Sequence, residues 1–434
     1  MNMISRRFAR AAMGIALFTL ALPVLAADNA QEALEWKDCV ALAKKNHPLL
    51  QSSREKVNQA KANTGITRSA MLPQVNAGVN AARSKQENPS GYGDNSATDT
   101  YSYSLSGNQL LFDGGKSIYD VKSAKKNVMQ SEYAYDATSS QIRMNLRAAF
   151  VQLLKAQEGL LIAKDIAERR KQNLELVRMR YMAGREHRGS LLTAEANLSS
   201  AESDVSQMLR TLSLAQRSLV KEMGLNEFRP LVVKGNLESS TIESVRPDFE
   251  KLAASNPSLK VAIVQREAAE YNLKSAEAAY FPGIYANANV GRADTKWPPA
   301  NNQWSVGIGV TLPLVEGGKR IYQVSQAKAV YNQLLADERN TRSVVLMALE
   351  QKWVNWRYAV DNADVQRKYL SAAQERAKIA EAQYSIGVIL FDNWIIIEDS
   401  LVSIKKSYLD AEAVALTSEA EWLQAKGETL DYDR

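Results

Sequence analysis

The residues in this chain that could do chemistry are few and scattered. Gly114-Gly115-Lys116-Ser117 has the ending of a phosphate-binding loop, in which backbone amides and a lysine ammonium cradle phosphate oxygens. That loop needs a glycine five places before Gly115, where this chain has Leu110; the matching place in a later copy of the motif is Pro313. A strand-to-helix turn is the better reading. Imidazole and thiol chemistry is limited to His47, His187 and Cys39, which stand far apart in unlike contexts. No spacing suggests metal ligands, a nucleophile with its base, or supported paired acids, so neither a cofactor nor an enzymatic activity is expected. His47 is expected to cap or turn the chain before Pro48, and the lone cysteine to behave as a small buried apolar residue.

The chain is therefore read for the elements it builds. It has 434 residues, with 54 Lys+Arg against 48 Asp+Glu and a formal balance of +6. A basic start holding Arg6, Arg7 and Arg10, an apolar run over 11–25 and the small-residue site Val24-Leu25-Ala26-Ala27 form the three parts of a secretory signal peptide. Removing residues 1–27 takes away those three arginines and no acid, which lowers the balance from +6 to +3. Both signs are interspersed along helical stretches, so there is no nucleic-acid footprint. Outside the signal no apolar run is long enough for a transmembrane helix.

The remainder is written twice. Asn46-His47-Pro48 returns as Ser255-Asn256-Pro257, and Ala70-Met71-Leu72-Pro73 as Ala279-Tyr280-Phe281-Pro282, both prolines 209 places apart. Asp113-Gly114-Gly115-Lys116 returns as Glu316-Gly317-Gly318-Lys319, and Tyr181-Met182-Ala183-Gly184 as Tyr384-Ser385-Ile386-Gly387, both offset by 203. The offset changes once, inside a polar stretch, where loops absorb length changes. Each half, 28–224 and 225–434, is expected to run helix, strand, loop, strand, long helix, turn, returning helix, as one interwoven fold.

The strand pairs are expected at 72–112 and 281–314. Ile284, Ala286, Ala288 and Val290 alternate with Tyr285, Asn287 and Asn289, and Trp304, Val306, Ile308, Val310, Leu312 and Leu314 with Ser305, Gly307, Gly309 and Thr311. A strand of about 9–11 residues crosses a tilted bilayer path. One face is apolar, the other Ser, Asn, Gly and Thr, and charge is nearly absent; a soluble sandwich would place charge outward. The loops at 83–100 and 292–302 suit solvent outside the cell.

Long helices are expected over 117–181, broken only by Gly159, and over 320–384, each about 98 Å long. Ile142, Leu146, Ala149, Leu153, Ala156, Leu160, Ala163 and Ala167 step by four and three, a heptad seam for side-by-side packing. Returning helices follow at 191–223 and 394–426, after glycines suited to the left-handed turn. Four strands cannot close a barrel, and open edges are intolerable in lipid, so copies must assemble, as a dimer with eight strands or a trimer with twelve.

The duplicated Asn/His-Pro turn, the Leu-Pro strand start, the Asp/Glu-Gly-Gly-Lys strand exit and the Tyr-x-x-Gly hairpin resemble those of the TolC-like outer-membrane efflux proteins, over about residues 33–428. The resemblance implies a mainly α fold with a transmembrane β component: long helices forming an α-barrel, and four strands per chain in an oligomeric β-barrel. It implies a homotrimer set in outer-membrane lipid and extending into the periplasm, docked through a periplasmic adaptor to an inner-membrane transporter, as the exit duct of a tripartite export or type I secretion system.

By the same resemblance Tyr181, Gly184, Tyr384 and Gly387 lie at the periplasmic tips, where adaptors bind and the aperture closes. Two aspartates form a constricting ring in the best-known family member, six and nine places after the second-repeat glycine; here those places hold Asn393 and Ile396. Asp392 and Asn393 are the substitutes expected at the aperture. The second tip, Val388-Ile389-Leu390-Phe391, is apolar where the first, Arg185-Glu186-His187-Arg188, is polar. Exposed apolar patches mark interfaces, so Leu390 and Phe391 are expected under an adaptor or a neighbouring copy. The rival reading is a periplasmic coiled-coil scaffold or adaptor without a pore, which has no use for uncharged strands of membrane length. The cargo, whether drug, metal or protein, leaves no signature.

Overall fold

The structure, a computed structural model, describes residues 33–85, 97–237 and 246–432; the expected signal peptide lies outside the described residues. In chain order the elements are α1 (Trp36–Asn46), α2 (Pro48–Ser69), β1 (Gln74–Ser84), β2 (Thr98–Phe112), α3 (Lys116–Met182) and α4 (Arg188–Glu222). The second copy runs α5 (Phe249–Ser255), α6 (Pro257–Ala278), β3 (Gly283–Asp294), β4 (Asn301–Thr311), α7 (Lys319–Ser385) and α8 (Phe391–Lys426).

The duplicated X-Pro turn splits the first helix of each repeat, a break that helical periodicity alone did not show. His47 (φ −65°, ψ 119°) and Asn256 (φ −64°, ψ 128°) are extended. A proline excludes the helical region for the residue before it and suits the first position of the helix that follows. Asn256 also caps: its Oδ1 accepts from the Ser258 and Leu259 amides, and its Nδ2 donates 2.8 Å to the Ala425 carbonyl. His47 makes no side-chain cap bond, so of its two expected roles it fills only that of a turn.

The four strands form one antiparallel sheet in the order β1-β2-β3-β4, so the β2–β3 ladder joins the two copies. Leu312 and Leu314 were expected to continue β4, but the strand stops at Thr311. Thr311 pairs with Gly283, the first residue of β3; beyond it there is no ladder partner, and Pro313 has no amide to donate.

The long helices α3 and α7 are 67 residues each, about 100 Å. Helix α3 packs against α2 and α4 on one side and α6 and α8 on the other; α6 and α8 also pack on α7. The result is a wall two short helices high beside each long one, as the lengths suggested. Of the expected α3 seam, Ile142, Leu146, Ala149, Leu153, Ala156 and Ala163 are buried. The largest core gathers all of these but Ala163 with α1, α4, α8 and residues Leu231, Val233 and Leu237. Cys39 lies in that core with no exposure, and burial, followed by the nearby Asp38 charge, pushes its thiol up to about 12. It is inert packing, as its isolation implied.

Gly224 ends α4 in the left-handed region (φ +74°), where a Cβ would lie 2.6 Å from the backbone of Asn46. Gly65 sits in exposed α2 with nothing within 4 Å of an added Cβ. Gly224→Ala should cost at least about 2 kcal/mol through left-handed strain and overpacking, whereas Gly65→Ala should gain about 1 kcal/mol of helix propensity. Denaturant titration of both variants measures the contrast; equal effects would contradict this packing.

Candidate functional site

The register divides the sheet into two chemically opposite faces. On one, Asn76, Ser106, Asn289 and Ser305 form a row across all four strands, and Gln74, Asn108, Asn287 and Gly307 form the next. On the other, Ala77, Leu105, Val290 and Trp304 form a row, followed by Val75, Gly107, Ala288 and Val306. Trp304, Val306, Ile308 and Val310 are 64–77% exposed in the single chain. Charge enters the apolar face only towards the loops, at the Arg83–Asp99 pair (3.6 Å), at Arg292, which donates to Asn302, and at Asp294, the last residue of β3. An apolar belt with an aromatic near its edge faces hydrocarbon, and a row of uncharged amides and hydroxyls faces water.

Both ends of the wall are open. Strand β1 with α2 and α4 forms one edge, and β4 with α7 the other. Helix α7 carries two apolar seams. Val345, Leu349, Trp356 and Ala359 are buried within the chain. Half a turn away, Met347, Val354, Tyr358, Val365 and Tyr369, at steps of seven and four, are exposed. Leu192, Leu209 and Leu214 on α4 and Ile66 on α2 are exposed at the opposite edge. Reading α3 alone missed this second seam; the alternating seven- and four-residue spacing of Met347, Val354, Tyr358, Val365 and Tyr369 is the signal that could have found it.

The two hairpins at the far end meet each other. Gly184 (φ +69°) and Gly387 (φ +84°) close α3 and α7, each followed by an amide that returns to the last turn: Arg185 to the Arg180 carbonyl and Val388 to the Gln383 carbonyl, both 2.8 Å. The duplicated tyrosines have different fates. Tyr181 is partly exposed, whereas Tyr384 has no exposure and stacks on Trp394 at 4.3 Å, with Phe391 edge-on to both. Arg180 lies over the Tyr384 ring at 4.6 Å and donates 2.8 Å to its carbonyl. The Tyr384 hydroxyl donates 3.0 Å to Glu186, which also accepts from the Ser190 hydroxyl and the His187 amide.

Burial pushes the Tyr384 phenol up, and its hydrogen bond to Glu186 adds to this. Burial also pushes the Glu186 carboxyl up, but the bonds from Ser190, Tyr384 and the His187 amide outweigh it and hold the group below its ordinary value. Arg180, Glu186 and Trp394 were not legible as a set, because they come from different hairpins. The apolar tip needs a correction: Phe391 is buried in this aromatic cluster, with Ile389 packed against it, and is not available to a partner. Its position opening α8 turns it inward. Leu390, one residue earlier, is 74% exposed, as is its neighbour Val388 in large part. Asp392 and Asn393 are exposed on the first turn of α8. No group of three or more metal-ligating side chains occurs among the described residues.

A wall with a lipid-facing sheet, a wet sheet face and a long helical extension is a segment of a membrane-embedded duct. The chain belongs to the outer membrane efflux protein family, whose model matches residues 39–225 and 249–428. It is 24% identical over 397 residues to the outer membrane efflux protein BepC of Brucella suis, covering 89% of this chain and 83% of BepC. It is 26% identical over 322 residues to the outer membrane protein TolC of Vibrio cholerae, covering 70% of each. A solved structure of CusC matches with a TM-score of 0.81 at 19% identity, over 90% of this chain and 91% of CusC. The protein is an outer-membrane exit channel of the tripartite-efflux type, which sets aside the pore-free scaffold.

Because Glu186 titrates below its ordinary 4.5 when folded, the tip contact contributes stability above that range and loses it as acid protonates the carboxylate. Hydrogen exchange at the Gly387 and Val388 amides should be protected at pH 7 and lose protection below pH 4.5, and Glu186→Gln should flatten that dependence. Tyr384→Phe should cost about 1–3 kcal/mol of tip stability. An unchanged acid dependence in Glu186→Gln would refute the assignment.

Proposed function

We propose that three copies of the chain close into a twelve-stranded barrel and a continuous helical tunnel, which receives cargo through a periplasmic adaptor from an inner-membrane transporter. The exposed seam on α7 is the observation that carries this reading. A helix with two apolar seams half a turn apart needs two partners; α6 and α8 supply one, and the α2–α4 edge of the next copy supplies the other. Each large side chain so covered gains about 1.5–3 kcal/mol. The same step pairs β4 with the next β1, both exposed edges at the ends of the sheet.

Three copies are the smallest cyclic set that leaves a passage. An eight-stranded barrel is just wide enough for its own side chains to fill it, so a dimer would be blocked. The wet face carries no charge in its central rows, which suits a duct indifferent to the sign of its cargo. Selection of cargo then lies with the transporter, whether that cargo is a cation, as the name of the CusC cation efflux protein indicates for that relative, or an organic molecule.

At the far end, the exposed Leu390 and Val388 are the adaptor contact, with Tyr181, Gly184 and Gly387 shaping the turns around it. Tyr384 and Phe391 act through the fold by holding the second hairpin against the first. Asp392 and Asn393, exposed one turn away, line the aperture.

Tyr358→Asp together with Tyr369→Asp should shift the purified protein from trimer to monomer in native mass spectrometry; a persisting trimer refutes the seam as the interface. Leu390→Glu should leave the trimer intact and reduce export by about tenfold or more, consistent with losing a central apolar contact. Unimpaired export in that variant would remove Leu390 from the adaptor surface.

A further inference from the structure

Besides its main passage, the helical wall holds a hollow of about 280 Å³ between α3, α4 and α8. Its floor is Ala156, Gly159, Ile162, Met208 and Leu409. Its rim carries two ion pairs between helices, Lys155–Asp410 and Lys406–Asp204, both 2.8 Å, together with Gln152 and Thr211.

The hollow opens on the passage side of the wall. Phe150 and Leu154 touch Gly235, and Gln157 bonds Val233, so this face of α3 is crossed by the 231–237 segment. Gln152, Lys155 and Gly159 project about half a turn away from that face. A connecting segment cannot run through a cargo passage, so the crossed face is the outer one and the hollow faces inward.

Gly159 is the sole glycine within α3, and packing does not demand it. An added Cβ would meet Met208 Sδ at 3.5 Å and Leu409 Cδ2 at 3.6 Å, ordinary contact distances. Alanine is the better helix former and would fit, yet glycine here keeps the floor recessed. The corresponding place in the second repeat, 203 residues on, is Asn362, so the glycine that recesses this floor is not repeated there.

We propose that this hollow is a wall station for an uncharged, planar aromatic molecule, which rests its rings on Gly159, Met208 and Leu409 and its polar edge on Gln152 and Thr211. The polarisable Met208 thioether suits an aromatic face. The rim charges are already paired with each other, so a charged ligand would find no partner without breaking a pair, whereas a neutral one leaves both intact. The role of the station in export rests on the duct reading. Binding itself does not, so the two can fail separately.

The test uses the full chain purified in detergent, with 2-naphthamide as the neutral probe and 2-naphthoate and 2-naphthylmethylammonium as charged counterparts. Peroxide oxidation of methionines is followed by peptide mass spectrometry. The neutral amide should slow oxidation of Met208 by about threefold or more while leaving the exposed Met179 and Met182 unaffected, and the charged analogues should not. In Gly159→Leu, which fills the floor, saturation transfer from protein to 2-naphthamide should fall to the detergent background. Unchanged Met208 oxidation with the amide, equal protection by all three naphthalenes, or undiminished transfer in folded Gly159→Leu would each overturn the proposal. The oxidation arm uses unmodified protein, so it decides the matter even if the variant does not fold.

Discussion

A strand edge cannot be left unpaired in hydrocarbon, and this constraint organises the rest of the molecule. Each unsatisfied amide or carbonyl in lipid costs several kcal/mol, with no water to relieve it. The sheet of this chain ends in β1 on one side and β4 on the other, with Trp304, Val306, Ile308 and Val310 displayed on the outermost strand. A single copy is therefore an incomplete object. The helical wall repeats the problem in water: α7 bears a seam that none of the described residues covers, and α4 and α2 bear exposed leucines and an isoleucine at the other edge. In the proposed cyclic assembly both edges would be completed by the same rotation, so one step would serve barrel and tunnel together.

Duplication makes that economical. Two copies of one strand-and-helix unit share the β2–β3 ladder and pack α6 and α8 between the long helices, so the join inside a chain has the form required between chains. The copies have diverged in local packing. Tyr384 is buried in an aromatic cluster and bonded to Glu186 of the opposing hairpin, while its counterpart Tyr181 is partly exposed. Gly159 recesses the floor of the hollow, where the equivalent place in the second repeat holds Asn362.

Much of this was legible in the residues. Period-two alternation located all four strands, because a strand between lipid and water must switch chemistry at every residue; glycines and X-Pro pairs marked the turns, because only those residues adopt them cheaply. The end of β4 was not legible, since Leu312 and Leu314 keep the alternation and only the length of β3 decides where pairing stops. Nor was the inward turn of Phe391, which depends on Tyr384 and Trp394 standing beside it. The tip contact joins Arg180 and Glu186 to a residue about 200 places away, a proximity that no local pattern encodes.

In the proposed assembly β4 of one copy hydrogen-bonds β1 of the next inside the outer membrane. Disulfide trapping in intact cells measures it directly, with one cysteine fixed at Ile308 and a second scanned through Val75, Ala77 and Val79 of β1; Cys39 is buried and does not compete. Covalent dimers and trimers are expected from at least one pair, with none larger. Monomer alone from every pair, in protein shown to be folded in the outer membrane, would contradict it.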